Sequence, residues 1–480
     1  MNVFRLLMSL LGLALSPFAM ADRLYSDSFE RPSIEPMFPL VGGEVQLPAG
    51  PSTNQLAWIM SELAVGENTT AAEVQAHFDA GFNAAATATF INDLRGFFPN
   101  AQIVDAVGVT ALDATVVIDS PIDPPGEPSG FLVLDAYFSG APLIRYFSVS
   151  NFSGTVQYPA DQALTLTQAA DKFETLSNAP ALLIGRIRPN MQCEVVLGRQ
   201  QTSQRATASI FKIWVLGGVA KAIAEGSIST DSTTIPLVAS ELAPAGLMNY
   251  DPLGTVFPLQ DVATLMMGNS DNTATDLLHE LVGREWIGQV VSEYEHAQPQ
   301  LLTPFLGISE QFHLFYSFPL NQSLSYVNGS EAFQQQFLTS NIEPLGSIVG
   351  DPQPFFHQSL LTDGSWMASP VDVCKAYAHL LRLPQGSDAM AAVGKAMGAQ
   401  AAQPNVRNLW DRVWYKGGSL SSNATPTGYH VLTHAWLLQN EEEDPWVVIA
   451  MSNSDGGGID VYNVQSITGR MLELVSQLPP

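Results

Sequence analysis

A serine and a lysine three positions apart, Ser209 and Lys212, are the first residues of this sequence whose types and spacing could do chemistry. They open an apolar run that predicts a helix, and residues three apart share a helix face, so the amine can reach the hydroxyl. A serine hydroxyl is a weak nucleophile until a base takes its proton. Lysine, with an ordinary pKa near ~10.4, becomes that base where burial favours the neutral amine. We therefore predict a nucleophile and its base.

The plain alternative is a helix start that carries a lysine on the surface. Two observations weigh against it. The residues from Ile213 to Leu216 are all apolar, and Lys212 is the only lysine of the chain with a serine three positions before it.

Two further groups of polar residues stand later in the chain. Ser270 and Asn272, separated by an aspartate, lie between two apolar runs that predict helices, so this loop could carry a hydroxyl and an amide to the mouth of a pocket. Lys416 and the glycines after it predict a strand edge with a cation, where glycine lets a substrate backbone approach closely. Taken alone, each group is weak evidence: an ordinary helix connection explains the Ser-Asp-Asn loop better, and an ordinary strand explains the lysine and its glycines.

Taken together, the three groups resemble a known family. A Ser-x-x-Lys pair at a helix start, Ser-Asp-Asn about 60 residues later and Lys-x-Gly on a late strand resemble the penicillin-recognising serine hydrolases, most nearly the class A β-lactamases. The resemblance covers residues 164–480. With the region before it, the chain resembles the two-domain β-lactamase-fold protein of the clavulanic acid gene cluster and its mycobacterial lipoprotein relatives.

The resemblance implies a set of catalytic residues. Ser209 would be the acylated nucleophile and Lys212 its base. Ser270 would relay a proton to the leaving group. Asn272 would hold Lys212 and an amide of the substrate.

The resemblance also implies how the substrate is held. Lys416 would add positive charge that keeps Lys212 neutral and meets a substrate carboxylate. The backbone N–H groups of Ser209 and Ser419 would form an oxyanion hole, in which one donor is worth ~3–4 kcal/mol in acyl transfer. Gly418 precedes Ser419 and belongs to the same substrate-binding residues.

The residue after the strand lysine departs from the family pattern. The family usually has Thr or Ser there, donating to the substrate carboxylate, and this chain has Gly417. Recognition of a β-lactam acid is therefore expected to be weaker. His430 or a hydroxyl of Ser421 or Ser422 could take the missing place.

The second departure concerns the base that removes the acyl group. Class A enzymes have a Glu in the loop before the helix that here starts at Ser369, and residues 344–368 contain none. The titratable side chains of this stretch are Asp351, His357 and Asp363, and none is assigned as the base. We expect an acyl-enzyme that hydrolyses slowly, or hydrolysis that uses Lys212 as in serine esterases.

The elements that must position these residues predict an α+β protein. Residues 51–152 begin with helices, one of them opened by a capping box of Thr70 and Glu73, and continue with strands of period two. They predict a small α+β domain similar to the steroid-isomerase/NTF2 cone, a likeness of fold alone. Residues 153–163 predict a linker. Residues 164–480 predict an antiparallel sheet built from both ends of the domain, with helices from the middle.

The start of the chain predicts export. In residues 1–21, Arg5 precedes a short apolar stretch that ends in small residues, which is typical of a signal peptide cleaved after Ala21. That stretch is too short to span a bilayer, and no later segment has the pattern of a membrane span. Residues 22–50 predict an irregular leader. We expect a periplasmic or secreted protein.

Composition narrows the partners. A net charge of −26 with no basic cluster argues against nucleic acid and anionic lipid. The histidines show no metal-ligand spacing and no nucleotide motif is present, so neither metal nor cofactor is expected. Cys193 and Cys374 lie far apart in sequence, and two buried free thiols are favoured over a disulfide.

The function predicted from these residues is that of an exported serine hydrolase that acts by acyl transfer on a small-molecule amide or ester, either a β-lactam or a carboxylic ester. Two alternatives stay open: a D-alanyl-D-alanine peptidase-like enzyme, and a penicillin-binding or sensor protein without turnover. Turnover separates the last of these from the enzymes. The oligomeric state is not predicted.

Overall fold

The structure is a computed structural model that describes residues 38–41, 44–121, 126–138, 142–421, 428–441 and 443–479. The predicted signal peptide (1–21) and residues 22–37 of the predicted leader lie outside the described residues. Ser422 also lies outside them.

A four-stranded antiparallel sheet with helices on one face forms the N-terminal region. Strands β3 to β6 lie in sequence order in this sheet, and β1 pairs with β2 separately. Apolar residues of the helices, such as Leu56 and Ile91, pack on Val116 and Leu132 of the sheet. The elements are β1 (Leu40–Val41), β2 (Glu44–Val45), α1 (Pro51–Leu63), α2 (Ala71–His77), α3 (Ala84–Phe97), β3 (Gln102–Val109), β4 (Asp113–Asp119), β5 (Ser129–Phe138) and β6 (Pro142–Phe152).

The segment predicted to be a linker has structure of its own. It contains a 3₁₀ turn (Ser153–Thr155) and the short helix α4 (Pro159–Gln162). The backbone N–H of Tyr158 donates to Ser466 Oγ at 2.8 Å, and that hydroxyl donates to Asp161 at 2.7 Å. The segment is therefore fixed to the last helix of the chain.

The remaining elements form the larger, C-terminal region. Its strands are β7 (Ala179–Ile187), β8 (Cys193–Arg199), β9 (Arg205–Ala206), β10 (Thr234–Pro236), β11 (Val256–Pro258), β12 (Met367–Ala368), β13 (Arg412–Ser421), β14 (Gly428–Gln439), β15 (Trp446–Asn453) and β16 (Ile459–Asp460). Its α-helices are α5 (Leu166–Glu174), α6 (Lys212–Ala224), α7 (Leu259–Met267), α8 (Asn272–Val282), α9 (Arg284–Glu293), α10 (Ile308–Tyr316), α11 (Leu320–Val327), α12 (Glu331–Phe337), α13 (Gln358–Asp363), α14 (Pro370–Leu381), α15 (Asp388–Met397) and α16 (Val461–Ser476). Shorter turns are the 3₁₀ segments Ala208–Phe211, Ala239–Glu241, Leu247–Tyr250, Pro299–Leu302, Glu343–Leu345 and Pro404–Asn408, and the π turn Leu338–Ile342.

The large sheet joins both ends of this region, as predicted. Its order is β13-β14-β15-β7-β8, every pairing is antiparallel, and β16 pairs with the start of β14. Helices α5 and α16 cover one face, and α6, α7, α14 and α15 belong to the core on the other. The predicted α+β fold class is confirmed.

The cysteine prediction is wrong, because Cys193 and Cys374 form a disulfide with Cα atoms 6.2 Å apart. Cys193 is the first residue of β8, and Cys374 lies in α14, which packs against that strand. The two residues are separated by 181 positions, so their proximity exists only in the folded chain.

None of the helices in the described ranges is long and apolar enough to cross a membrane.

Candidate active site

Ser209 lies in a 3₁₀ turn directly before α6 and is partly exposed. The helix that follows is buried on every side from Lys212 to Ala220, which explains its continuous apolar sequence. Ala208, just before the serine, has φ +43°, a left-handed conformation that costs a non-glycine residue energy and is often found at functional sites. The Phe211 ring stacks on Trp366 with centroids 3.9 Å apart and supports the turn from behind.

Lys212 is fully buried, and its ammonium contacts the Ser-Asp-Asn loop. Nζ donates to the Ser270 carbonyl at 2.6 Å and to Asn272 Oδ1 at 2.8 Å. It also lies 3.3 Å from Ser270 Oγ and from the Asp271 carbonyl. Within the described residues no hydrogen bond joins Nζ to the hydroxyl of Ser209, so the lysine is held by the loop and not by the serine.

Burial lowers the pKa of Lys212 to about 7. The nearby carboxylates of Asp271 and Asp276 act in the opposite direction and favour the ammonium. Asp276 is itself buried and accepts hydrogen bonds from the N–H groups of Ile308 and Ser309 at the start of α10. At neutral pH a large fraction of Lys212 is therefore the neutral amine that a general base requires.

Asp271 fixes the shape of the loop. It is the N-cap of α8, where its carboxylate accepts from Ala274 N at 2.8 Å and from Met248 N at 3.1 Å. Ser270 before it has φ +58°. Asn272 donates its amide to the Pro244 carbonyl at 2.6 Å while its oxygen accepts from Lys212.

Lys416 reaches the Ser270 hydroxyl, which Lys212 also contacts, from the other side. Its Nζ donates to Ser270 Oγ at 2.9 Å and to the Gly417 carbonyl at 2.7 Å. The side chain is buried, and burial together with the charge of Lys212 lowers its pKa well below the ordinary lysine value. No carboxylate pairs with Lys416 in the described part of the chain. Two buried lysines thus meet at one serine hydroxyl.

Strand β13 runs against the turn that carries Ser209. A Cβ atom on Gly418 would lie 2.6 Å from the backbone nitrogen of Ser209 and 2.5 Å from the Thr207 carbonyl, so only glycine allows this approach. The Thr433 hydroxyl on β14 also donates to that Thr207 carbonyl, at 2.8 Å. These contacts fix the turn beside the strand that carries Ser419.

These elements border an open cavity of about 220 Å³. Ser209, Ser270, Lys416, Gly418 and Ser419 all line it, whereas Lys212 and Asn272 do not. No acidic side chain is among the described residues that line it. The lining residues are Val107, Phe131, Ser209, Gly268, Asn269, Ser270, Gln400, Tyr415, Lys416, Gly417, Gly418, Ser419, Leu432, Thr433 and His434.

The N-terminal sheet forms part of the cavity wall, which the sequence did not suggest. Val107 on edge strand β3 and Phe131 on β5 both line the cavity. A Cβ on Gly268 would overlap the Val107 carbonyl, and Asn269 donates its amide to Thr115 Oγ1 at 2.6 Å. The loop that ends in Ser270 is therefore packed against the N-terminal sheet.

Tyr415 and His434 also line the cavity, and the sequence reasoning missed both. Their proximity follows from the register of β13 on β14, in which Gly417 faces His434. The predicted substitute His430 does not line the cavity, and its Nδ1 contacts the Ser454 carbonyl at 2.9 Å. Ser421 is exposed at the end of β13 and does not line the cavity either.

The titratable residues before α14 also lie away from this cavity. Asp351, His357 and Asp363 are not among its lining residues, and His357 Nε2 contacts the Phe318 carbonyl at 2.7 Å. None of the three therefore lies beside Ser209 in this cavity.

Comparison with known proteins places part of the chain in context. Residues 190–326 match the model of the beta-lactamase enzyme family. A β-lactamase from Sphaerobacter thermophilus DSM 20745 is 17% identical over 66% of this chain and 100% of that one, with a TM-score of 0.42. One from Chitinophaga pinensis DSM 2588 is 14% identical over 65% and 97%, with a TM-score of 0.43. No curated protein matches the chain.

The family match contains both the Ser-x-x-Lys pair and the Ser-Asp-Asn loop. The predicted resemblance to the penicillin-recognising serine hydrolases is thereby confirmed.

Proposed function

We propose that this protein is a serine hydrolase that takes the acyl group of an amide or ester onto Ser209 and passes it to water. The proposal rests on one observation above all. Lys212 and Lys416, both buried, converge on Ser270 Oγ at 3.3 and 2.9 Å beside the cavity that Ser209 lines. Two amines and a hydroxyl in contact can move a proton from nucleophile to leaving group.

Acylation follows from these groups. Neutral Lys212 accepts the proton of the Ser209 hydroxyl as its oxygen attacks the carbonyl carbon. The backbone N–H groups of Ser209 and Ser419 stabilise the oxyanion. When the carbon–nitrogen or carbon–oxygen bond breaks, Ser270 donates its proton to the leaving group and regains one from Lys212, which returns that lysine to its neutral form.

Deacylation is expected to be slower than acylation. Because no described acidic residue lines the cavity, the water that attacks the acyl-enzyme has no carboxylate base. Lys212 must then activate it. This favours a slow β-lactamase or an esterase over a fast β-lactamase.

The absence of an acidic residue among the described cavity residues also supports a second candidate function, that of a penicillin-binding or sensor protein that is acylated once. With this function the acyl-enzyme would persist, because the water near the ester would have no base to activate it. The two candidates share the acylation step and differ only in turnover.

The disulfide supports the proposed export. Disulfides persist in oxidising compartments such as the periplasm or the extracellular space, and Cys193–Cys374 is of that kind. We propose that the mature protein works there after cleavage following Ala21.

Intact-protein mass tests the proposal. The mature protein is mixed with benzylpenicillin and separately with a p-nitrophenyl ester, and its mass is followed from minutes to hours. We expect an adduct in the wild type and in the Ser203→Ala control, and none in Ser209→Ala. Decay of the adduct with product release makes the protein a hydrolase, and persistence favours the sensor. An adduct that survives in Ser209→Ala would overturn the assignment of the nucleophile.

A further inference from the structure

The Tyr415 side chain occupies the space that a side chain at residue 417 would take. Residues two apart on a strand share a face, so the tyrosine lies on the side where a residue 417 side chain would point. A Cβ on Gly417 would overlap the Tyr415 hydroxyl and lie 2.9 Å from its ring carbon Cζ. Glycine at 417 is therefore what allows the phenol to reach this position.

The phenol is paired with a histidine from the next strand. His434 faces Gly417 across the ladder, and its Nδ1 lies 2.7 Å from the Tyr415 hydroxyl. Its ring stacks on Trp436 with centroids 5.2 Å apart, which holds its plane. Both members are buried, and both line the cavity with Ser209.

The pair has one hydrogen more than its own hydrogen bond uses. Burial and the charge of Lys416 lower the pKa of His434 to about 3, so the imidazole is neutral and carries one N–H. His434 Nε2 is buried and has no partner among the described residues. If the phenol donates to Nδ1, the free hydrogen is on Nε2, and with the other tautomer it is on the phenol oxygen. Either way one donor remains unused.

Lys416, which lies near this unused donor, indicates which kind of group the donor binds. Lys416 lines the same cavity as the pair and has no carboxylate partner in the described residues, and its burial lowers its pKa well below the ordinary lysine value. A carboxylate bound beside it would favour its ammonium form, because an opposite charge raises the pKa of a lysine. One ammonium and one neutral donor match the two oxygens of a carboxylate. A phosphate or sulfate would leave a further oxygen without a donor.

We propose that Tyr415 and His434 bind, together with Lys416, a carboxylate of the substrate, and thus take the place of the hydroxyl missing at residue 417. The inference rests on the proposed hydrolase function and deepens it. The substrate class is an amide or ester that carries a carboxylate near the scissile bond.

Matched substrates test the inference. Benzylpenicillin is compared with its methyl ester, and 3-carboxy-4-nitrophenyl acetate with its methyl ester. The rate of adduct formation on Ser209 gives an acid-to-ester ratio for each pair. We expect the wild type to prefer the acid, and the ratio to fall about tenfold or more in His434→Leu, as for the loss of a hydrogen bond to a charged group. His434→Gln, whose amide can donate from near the Nε2 position, should restore part of it.

A matched control is available on the same strand. His430 is also buried but does not line the cavity, so His430→Gln should keep the wild-type ratio. A wild type without preference, or a His434→Leu variant with an unchanged ratio and normal acylation, would overturn the carboxylate site alone. If no substrate adds mass to Ser209, the hydrolase function fails as well.

An exchange of side chains gives a second test that does not depend on the histidine variants. Gly417→Ser alone should lower the ratio, because its Cβ overlaps the Tyr415 hydroxyl. Tyr415→Ala should lower it by removing the phenol. Tyr415→Ala with Gly417→Ser returns a hydroxyl to this space, and its ratio should exceed that of Tyr415→Ala. A double variant no better than Tyr415→Ala, with an equal melting temperature, would contradict the assigned role.

Discussion

Lys212 and Lys416 reach the Ser270 hydroxyl from opposite sides, but the regions around them differ. The Lys212 region, residues 209–212 and 270–276, supplies four oxygen acceptors to the amine and two buried aspartates near it. The Lys416 region, residues 415–418 and 433–434, supplies two acceptors and no carboxylate. The pKa of Lys212 is about 7, and that of Lys416 is lowered well below the ordinary value by burial and by Lys212.

The difference shows that burial alone does not decide what a lysine does. Acceptors and nearby carboxylates offset the desolvation of Lys212 and hold its pKa where the amine can both accept and return a proton. The Lys416 region lacks that compensation, and we infer that an anionic group of the substrate completes it. We therefore infer that the Lys212 region serves proton transfer and that the Lys416 region serves recognition of the substrate.

The largest effect is expected when the Lys212 region loses its base. Lys212→Met should slow acylation of Ser209 about 10²–10⁴-fold, the usual contribution of a general base. Rates of adduct formation measure this. Lys221→Met is the matched control, since Lys221 is a lysine of the same helix that pairs with Glu293 at the surface. A Lys212→Met rate within threefold of the control would contradict the role as base.

The next effect is expected in the Lys416 region and depends on the substrate. Lys416→Met should slow acylation by benzylpenicillin about 10–100-fold, since a contact with a charged group is lost. Its methyl ester should lose less, because it has no carboxylate to place. Equal losses for the acid and the ester would mean that Lys416 acts on the proton path and not on recognition.

The pH dependence of the acylation rate should distinguish the Lys212 region from the Lys416 region further. Only neutral Lys212 can accept a proton, so the acylation rate should fall about tenfold per pH unit below the pKa of about 7 and level off above it. Asp276→Asn removes a carboxylate that favours the ammonium, so the midpoint should move to lower pH. Acylation rates between pH 5 and 9, measured on a neutral p-nitrophenyl ester, test both statements. A midpoint that stays in place would show that Asp276 does not act on Lys212.

Much of this arrangement could be predicted from the sequence because it is local or depends on order. The spacing of Ser209 and Lys212 and the capping box of Thr70 and Glu73 are short-range patterns, and in the structure Thr70 and Glu73 exchange hydrogen bonds as predicted. The sheet built from both ends of the region follows from strand-like runs at both ends. The likeness of the N-terminal region to the NTF2 cone stays a prediction.

The remaining features of the site and fold depend on contacts between residues that are far apart in the sequence, and these could not be predicted from it. The Tyr415–His434 pair needs the register of two strands, and the expected substitute His430 is only four residues from His434, the histidine that lines the cavity. Val107 and Phe131 have the same types as core residues, so nothing in their sequence context indicates a cavity wall. Cys193 and Cys374 meet only once β8 and α14 have packed.

A smaller effect is expected where the N-terminal sheet supports the Lys212 region. In Gly268→Ala the new Cβ overlaps the Val107 carbonyl, so we expect a loss of about 1–3 kcal/mol in the free energy of unfolding and a slower acylation as Ser270 shifts. Thermal unfolding and adduct formation measure the two. Gly288→Ala, at a helix glycine with open space around it, should not destabilise the protein. Equal behaviour of the two variants would mean that the contact with the sheet does not position the loop.

The disulfide should matter least for acylation, because it is at the edge of the large sheet farthest from β13. Replacing Cys193 and Cys374 by alanine should lower the free energy of unfolding by about 2–4 kcal/mol, the usual range for a native disulfide. The acylation rate should change little, since neither residue shares a partner with Ser209 or the two lysines. Denaturant unfolding and adduct formation on the same samples separate the two effects. A large loss of acylation in a variant that remains folded would show that the far edge of the sheet is coupled to Ser209 and Lys212, and that the disulfide does more than stabilise the fold.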